Sequence, residues 1–314
     1  MIICLGDLHI NTSESHDFEV NRLVELSNVI NSRNPDKLFL LGDVLDKSSP
    51  THKDIVALHL FLSSIECDIS YISGNHERVS ENNYILDDIM NIFGIQKLPR
   101  NFKLGKYNVL AVGHDEIHSL SVDDLVNIDL FLSHFRWSHK LYGKGELQRL
   151  ERAIASEVGL TILGDIHSFY EPKKNVIYTS APYTSKYQAE QQNSFIELTY
   201  SDKGIITNRY ECNLPSKIKL HIDKFSKLHR ILDTLDSQHR YIVSVDVTSD
   251  ELNKISKIKL PDCVIRLLPK VSKEPTKDKE VIKSSKGTIL DTLISILPKD
   301  INKEYVINLL GGKV

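Results

Sequence analysis

Short apolar runs alternate with helical stripes over the first 200 residues of this 314-residue chain. Segments 2–5, 37–41, 69–73, 109–112, 129–132 and 161–163 are β-rich and end at Gly, Ser or Asp, which predicts buried strands. Between them Phe18, Val20, Leu23, Val24, Leu26, Val29 and Ile30 trace one face of a helix, and 55–62 and 84–93 repeat that spacing. Strand alternating with helix predicts a layered α/β core.

The pattern changes after residue 174. Segments 176–179, 194–200 and 204–210 read as antiparallel strands, with Asp202-Lys203-Gly204 as a turn, and are expected to close a second sheet against the first. In 213–270 a helical stretch (225–235), an alternating strand (241–247), a helix capped at Ser249-Asp250-Glu251 and a strand (264–267) predict a small α+β module. Residues 271–286 carry Lys, Glu, Ser and Pro with little apolar content, the composition of a flexible linker. In 287–314, Ile289, Leu290, Leu293, Ile294, Ile296 and Leu297 are followed by Tyr305, Val306, Leu309 and Leu310. Pro298 and Asp300 divide them into two short helices. The expected domains are therefore 1–212, 213–270, 271–286 and 287–314.

Composition adds boundaries rather than function. Hydrophobic content of 41% and charged content of 26% are ordinary for a globular protein. A net charge of −3 gives no global attraction for phosphate, so a nucleic-acid binder of this kind needs local basic surface. Cys4, Cys67, Cys212 and Cys263 form no Cys-x-x-Cys pair, the usage expected of buried thiols in a reducing, cytoplasmic setting. The start Met1-Ile2-Ile3-Cys4-Leu5 lacks the basic and apolar regions of a signal peptide, and no run approaches the ~18 apolar residues of a membrane helix.

The chemistry lies just past the strands. Gly6-Asp7-Leu8-His9, Gly42-Asp43-Val44-Leu45-Asp46, Gly74-Asn75-His76-Glu77, Leu132-Ser133-His134 and Gly164-Asp165-Ile166-His167 each follow an apolar run. The loops after parallel strands converge on one sheet edge, so these side chains can meet. Together they supply ligands for two divalent cations about 4 Å apart, a pair able to clamp a phosphate and activate a water. A carboxylate must serve both cations, and Asp43 is the choice. Asp7, His9 and His167 would complete one position, and Asn75, His134 and Asp165 the other. Ligands limited to O and N suit Mn²⁺, Fe²⁺ or Mg²⁺ better than a thiolate zinc site.

This series resembles the calcineurin-like metallophosphoesterase superfamily, which shows Asp-x-His, Gly-Asp-x-x-Asp, Gly-Asn-His-Glu/Asp, a lone His and Gly-His-x-His in this order. The fifth segment departs, with Asp165 where the family has His. The resemblance implies a four-layer α/β/β/α core with a small capping domain and C-terminal helices. It implies that His76 acts on the phosphate, stabilising the transition state or protonating the leaving oxygen. Within the superfamily, Ser180-Ala181-Pro182-Tyr183 followed by Phe195-Ile196-Glu197-Leu198 is similar to the SbcD nucleases of the meiotic-recombination nuclease family. That implies Mn²⁺-dependent cleavage at DNA ends with an SbcC-type coiled-coil ATPase, docked through the C-terminal helices, and a homodimer within a heterotetramer. Segments 55–62 and 84–93 are apolar enough for a dimer bundle and are equally explained by the core.

Other residues stay open at this stage. His52 either reaches the phosphate or sits on the surface. Arg136, Trp137 and His139, close after His134, would suit DNA backbone and base stacking, with Trp137 alternatively in the core. Gly113-His114-Asp115-Glu116-Ile117-His118 reads as a solvated loop, and Asp46 as a residue that orients a ligand. The competing functions are a general phosphodiesterase or phosphatase with the same metals, and a non-catalytic DNA-end scaffold.

Overall fold

The computed structural model describes residues 1–137, 146–186, 192–255 and 257–271. The chain divides into two units, Met1–Val271 and Ser272–Val314. The second unit lies outside the described residues, and with it the expected linker and C-terminal helices.

Two six-stranded sheets form the centre of the first unit. One runs in the order Gly204–Glu211, Ser194–Ser201, Ile2–Leu5, Lys37–Leu41, Asp68–Ile72, Gln96–Lys97. The other runs Tyr170–Lys173, Val176–Tyr178, Leu160–Gly164, Leu130–His134, Tyr107–Val112, Asn101–Leu104. The inner strands carrying the ligand segments are parallel in both.

The alternation of side chains along each strand builds the layers. Ile3, Leu5, Leu38 and Leu40 pack outward against Leu23, Leu26 and Ile30 of helix His16–Ser32 and Leu58 and Phe61 of helix His52–Ser64. Their neighbours Ile2, Cys4, Phe39 and Leu41 point the other way and meet Val109, Ala111, Leu130, Leu132 and Ile162 of the second sheet. Leu110, Val112, Phe131 and Leu163 then face helix Glu146–Glu157 through Leu150, Ala153 and Ile154. The result is helix, sheet, sheet, helix, as expected.

Ser194–Ser201 and Gly204–Glu211 form the expected antiparallel pair about the turn at Asp202-Lys203-Gly204, but the late strands do not make a sheet together. Val176–Tyr178 joins the second sheet parallel to Leu160–Gly164. Ser194–Ser201 and Gly204–Glu211 extend the first sheet, with Ile2 opposite Leu198. Alternation of apolar residues fixes which faces are buried but not which strand becomes the neighbour. Beyond them, Lys217–Ile222, Arg240–Val247 and Val264–Val271 form a separate three-stranded parallel sheet with helices in its crossovers and a core of its own. The Thr184 carbonyl accepts the Lys217 backbone N–H at 2.9 Å, tying the start of this module to the loop after residue 180.

Candidate metal centre

Every candidate ligand stands at or just past the C-terminal end of a parallel strand. Asp7 and His9 follow Ile2–Leu5, Asp43 follows Lys37–Leu41, and Asn75 and His76 follow Asp68–Ile72. His134 is the last residue of Leu130–His134, paired with Gly164, after which come Asp165 and His167. Asp7 (φ 60°), His9 (47°), Asp43 (50°) and Asp165 (88°) occupy the left-handed region, as does Ser180 (68°). A non-glycine residue held there costs of order 1–3 kcal/mol. The strain is therefore concentrated on the ligand loops. Gly74 is required for another reason: a Cβ there would collide with the backbone nitrogen and carboxylate of Asp43.

Asp43 lies at the centre. Its Oδ2 is 3.6 Å from His9 Nε2 and 3.4 Å from His134 Nε2, while its Oδ1 accepts the His76 backbone N–H at 2.9 Å. On the first side, His9 Nε2 is 2.9 Å from His167 Nε2, and Asp7 Oδ1 lies 3.9 Å from His9 and 3.8 Å from His167. On the second side, His134 Nε2 is 3.1 Å from Asn75 Oδ1 and 3.9 Å from Asp165 Oδ1. Asp7, His9 and His167 each offer a ligand atom within 4.8 Å of the others, and so do Asp7, Asp43 and His134.

The electrostatics fit divalent cations. Asp7 is fully buried, and burial, with Asp43 and Asp165 nearby, pushes its carboxyl up to about 8. Burial alone would depress His134; the charges of Asp43, Asp7 and Asp165 overcome it and hold the imidazole at about 10. Its Nδ1 donates to the Leu41 carbonyl at 2.7 Å, so Nε2 is the atom turned to the carboxylates. Burial lowers His9, and lowers His167 to about 4. A buried carboxyl that retains its proton at Asp7, imidazoles kept neutral at His9 and His167, and a His134 that draws a proton to the carboxylates around it are a donor set short of positive charge. The oxygen and nitrogen donors suit hard or borderline ions.

A supporting layer fixes these ligands. Asp46 Oδ1 lies 3.4 Å from His9 Nδ1, its Oδ2 accepts Asn11 Nδ2 at 2.8 Å, and its backbone carbonyl accepts His76 Nδ1 at 2.7 Å. His76 Nε2 is then left facing Asp43 Oδ2 at 3.9 Å. Glu77, fully buried, takes the Leu45 and Gly74 backbone N–H groups at 2.9 Å each and so laces the Asp43 loop to the Asn75 loop. Ser180 donates its hydroxyl to the His167 carbonyl at 2.7 Å, and the Ala181 N–H reaches the same oxygen at 3.0 Å. The Ser-Ala-Pro turn thus holds the last ligand from behind. Lys186 Nζ stands 3.4 Å from Asp46 Oδ1. The roles of Asn11, Glu77 and Lys186 escape sequence reasoning. Glu77 is visible in its motif, but nothing in the local pattern marks Asn11 or Lys186.

The residues expected to touch substrate divide. Arg136 is exposed and pairs with Asp165 Oδ2 at 3.1 Å. Trp137 corrects the stacking expectation: it is 7% exposed, packs beside Phe135 in the outer core, and donates its backbone N–H to the Tyr178 hydroxyl at 2.5 Å. Its ring is already covered by protein and cannot receive a base. His52 is exposed in the first turn of helix His52–Ser64 and makes no hydrogen bond or ion pair with the pocket among the described residues. His139 lies outside the described residues. His114 sits beside His134, with ring centroids 6.3 Å apart, and Glu116 holds the Gly113 N–H at 2.8 Å. The segment expected to be a solvated loop is a short 3-10 helix, Asp115–Ser119, with Ile117 buried.

Among solved structures, the chain is similar to purple acid phosphatase PPD1 from yellow lupin (Lupinus luteus), at 14% identity and a TM-score of 0.45. That match covers 69% of this chain and 53% of the lupin protein, so the chain spans about half the length of that relative. A dimetal phosphatase from Danio rerio matches at 10% identity and TM-score 0.45, over 66% of this chain and 95% of that one. Nuclease MPE from Pseudomonas putida matches at 10% identity and TM-score 0.32, over 67% and 73%. No curated protein matches. No helix among the described residues is long and apolar enough to cross a membrane. A family model, calcineurin-like phosphoesterase, matches residues 1–168, the stretch that carries every ligand segment from Asp7 to His167. With that match spanning more than half of its length, the chain belongs to the calcineurin-like phosphoesterase family of hydrolases.

Proposed function

We propose that this chain is a DNA nuclease that hydrolyses phosphodiesters at DNA ends with two divalent cations, Mn²⁺ by preference. The observation that carries the reading is the position of Asp43 Oδ2, within 3.6 Å of His9 Nε2 and 3.4 Å of His134 Nε2. One carboxylate oxygen thereby faces both halves of the ligand set. Asp7, His9, His167 and Asp43 would hold one cation, and Asp43, Asn75, His134 and Asp165 the other. Bound there, such ions supply Lewis-acid polarisation of a phosphoryl oxygen and a nucleophilic water at neutral pH.

The chain's own groups do the rest. His76 donates its Nδ1–H in a hydrogen bond to the Asp46 carbonyl, which fixes the ring and aims Nε2 into the pocket. When the ring carries a proton on both nitrogens, Nε2–H binds a phosphate oxygen or hands its proton to the leaving 3′-oxygen, a poor leaving group that needs one, and the ring is left neutral with Nδ1–H still on Asp46. Arg136 and Lys186, both at least half exposed, bring positive charge to opposite halves of the ligand set, one beside Asp165 and one beside Asp46. They are the local basic groups that a chain of net charge −3 needs to meet a polyanion. The turn at Ser180 and the three-stranded module support a nuclease of the SbcD type.

In this reading residues 287–314 dock on the coiled coil of an SbcC-type ATPase, and two copies of the chain pair within a heterotetramer in the cytoplasm (the host's, if the chain is viral). Full-length protein with Mn²⁺, offered end-labelled duplex DNA and a small chromogenic phosphodiester, tests the activity. Shortening of the duplex from its ends is expected. Turnover of the small ester with intact DNA would reject the nuclease assignment, and DNA binding without turnover of either would leave a scaffold. Deleting 288–314 should abolish co-purification with the ATPase and leave metal content unchanged.

A further inference from the structure

Asp165 divides its carboxylate between two directions. Oδ1 faces His134 Nε2 at 3.9 Å, inside the ligand set, and Oδ2 meets Arg136 Nε at 3.1 Å, outside it. The backbone cannot swing away, because the Asp165 N–H donates to both Asp7 carboxylate oxygens at 3.1 Å. Among the described residues, Arg136 is the only Lys or Arg ion-paired to a member of the ligand set. It is also 60% exposed, so its other donor nitrogens are open to a ligand arriving from solvent.

A guanidinium bonded to a donor oxygen opposes a cation at that position twice. It withdraws electron density from Asp165, and it repels the incoming charge. A phosphate anion reverses both effects, since it offers the guanidinium a bidentate partner and neutralises its charge. We propose that Arg136 is a positioning residue that couples filling of the second cation position (Asp43, Asn75, His134, Asp165) to arrival of a phosphate. Without phosphate, Arg136 holds Asp165 and that position binds weakly. With phosphate, Arg136 turns to the anion, Asp165 is freed, and the second ion is retained. The coupling is reciprocal: the second ion tightens phosphate binding by the same factor. The catalytic pair is then complete only when substrate is present.

This rests on the two-cation reading above and needs nothing of DNA. The test is a Mn²⁺ titration of the full-length, chelator-stripped chain, followed by calorimetry and by the spin signal of free Mn²⁺, with and without inorganic phosphate. Wild type is compared with R136Q and R136K; because Arg136 is exposed, neither change threatens folding. R136Q should bind the second Mn²⁺ about tenfold more tightly than wild type in the absence of phosphate. Phosphate should tighten that ion in wild type several times more than in R136Q, with R136K between. Equal or weaker binding by R136Q, or an undiminished phosphate effect, would overturn the coupling while leaving two ions in place. A chain that never takes a second ion sinks both this proposal and the two-cation reading.

Discussion

The Nε2 atoms of His9 and His167 stand 2.9 Å apart although 158 positions separate the residues in sequence. Burial depresses both imidazoles, so the contact is between nitrogens that resist protonation. Two neutral imidazole nitrogens this close can both bind one cation once neither carries a proton. His167→Ala should therefore lower the Mn²⁺ content by about one of the two ions expected for the pair. Elemental analysis of the gel-filtered protein reads this directly, and an unchanged metal-to-protein ratio would remove His167 from the ligand set.

His76 and Asp43 should separate chemistry from metal binding. Nε2 of His76 is directed into the pocket but the ring is anchored to Asp46, outside the ligand frame. His76→Ala should cut kcat by about 10²–10⁴ and leave the metal content intact. Asp43→Ala should abolish cleavage and lose both ions together. Loss of metal in His76→Ala would show that this ring is a ligand and not a phosphate-facing group.

Stability without metal should fall as the solution is made alkaline. Burial raises Asp7 and Glu77 to about 8 in the folded chain, and neighbouring carboxylates hold His134 at about 10. The folded form therefore keeps protons that the unfolded form releases, and the free energy of unfolding drops with rising pH. His9 and His167 act in the opposite sense, but their effect is complete once the pH passes their ordinary value of 6.5. Asp43 and Asp46 are depressed, so the stability they add is lost only as the pH falls below the usual carboxylate value of 3.8. In chelator, the melting temperature should decline from pH 6.5 to 8. Mn²⁺ should flatten or invert that slope, because the ion replaces the retained protons. A melting temperature that climbs over this interval in chelator would contradict the burial argument.

Trp137 should matter for folding and not for DNA. Trp137→Ala removes a ring that is 7% exposed and should cost about 3–5 kcal/mol. Trp137→Phe should recover most of that and bind an oligonucleotide as wild type does. Denaturant unfolding gives the first number, and fluorescence anisotropy of a labelled duplex the second. Weaker DNA binding by Trp137→Phe at full stability would restore the ring to the substrate surface.

The sequence exposed the ligand frame because each ligand must follow an apolar run and a loop long enough to turn. The positions of Asp7, His9, Asp43, Asn75, His134, Asp165 and His167, and of His76 beside them, were legible for that reason, and the structure brings these side chains together around Asp43. The four layers were legible too, through alternating pairs such as Ile3 and Cys4, which enter different cores. The hairpin of Ser194–Ser201 with Gly204–Glu211 was legible from its turn, but the long-range partner was not: Ser194–Ser201 looks like any half-buried strand until Ile2–Leu5 is seen beside it. Trp137 was ambiguous because an aromatic next to a ligand serves packing and stacking equally well in one dimension. Asn11 and Lys186 act through distances to Asp46 that no local pattern encodes.

The neighbour of Ile2–Leu5 has a bearing on how the enzyme is made. Ile2–Leu5 is flanked on one side by Ser194–Ser201, one of the last strands of its sheet in sequence. Pairing so distant in sequence is slow and comes late. A nascent chain that has not yet emerged past Ser194–Ser201 holds Asp7 and His9 on a strand with an open edge, and so completes the sheet beneath them only after all the other ligand segments, through His167, have been made.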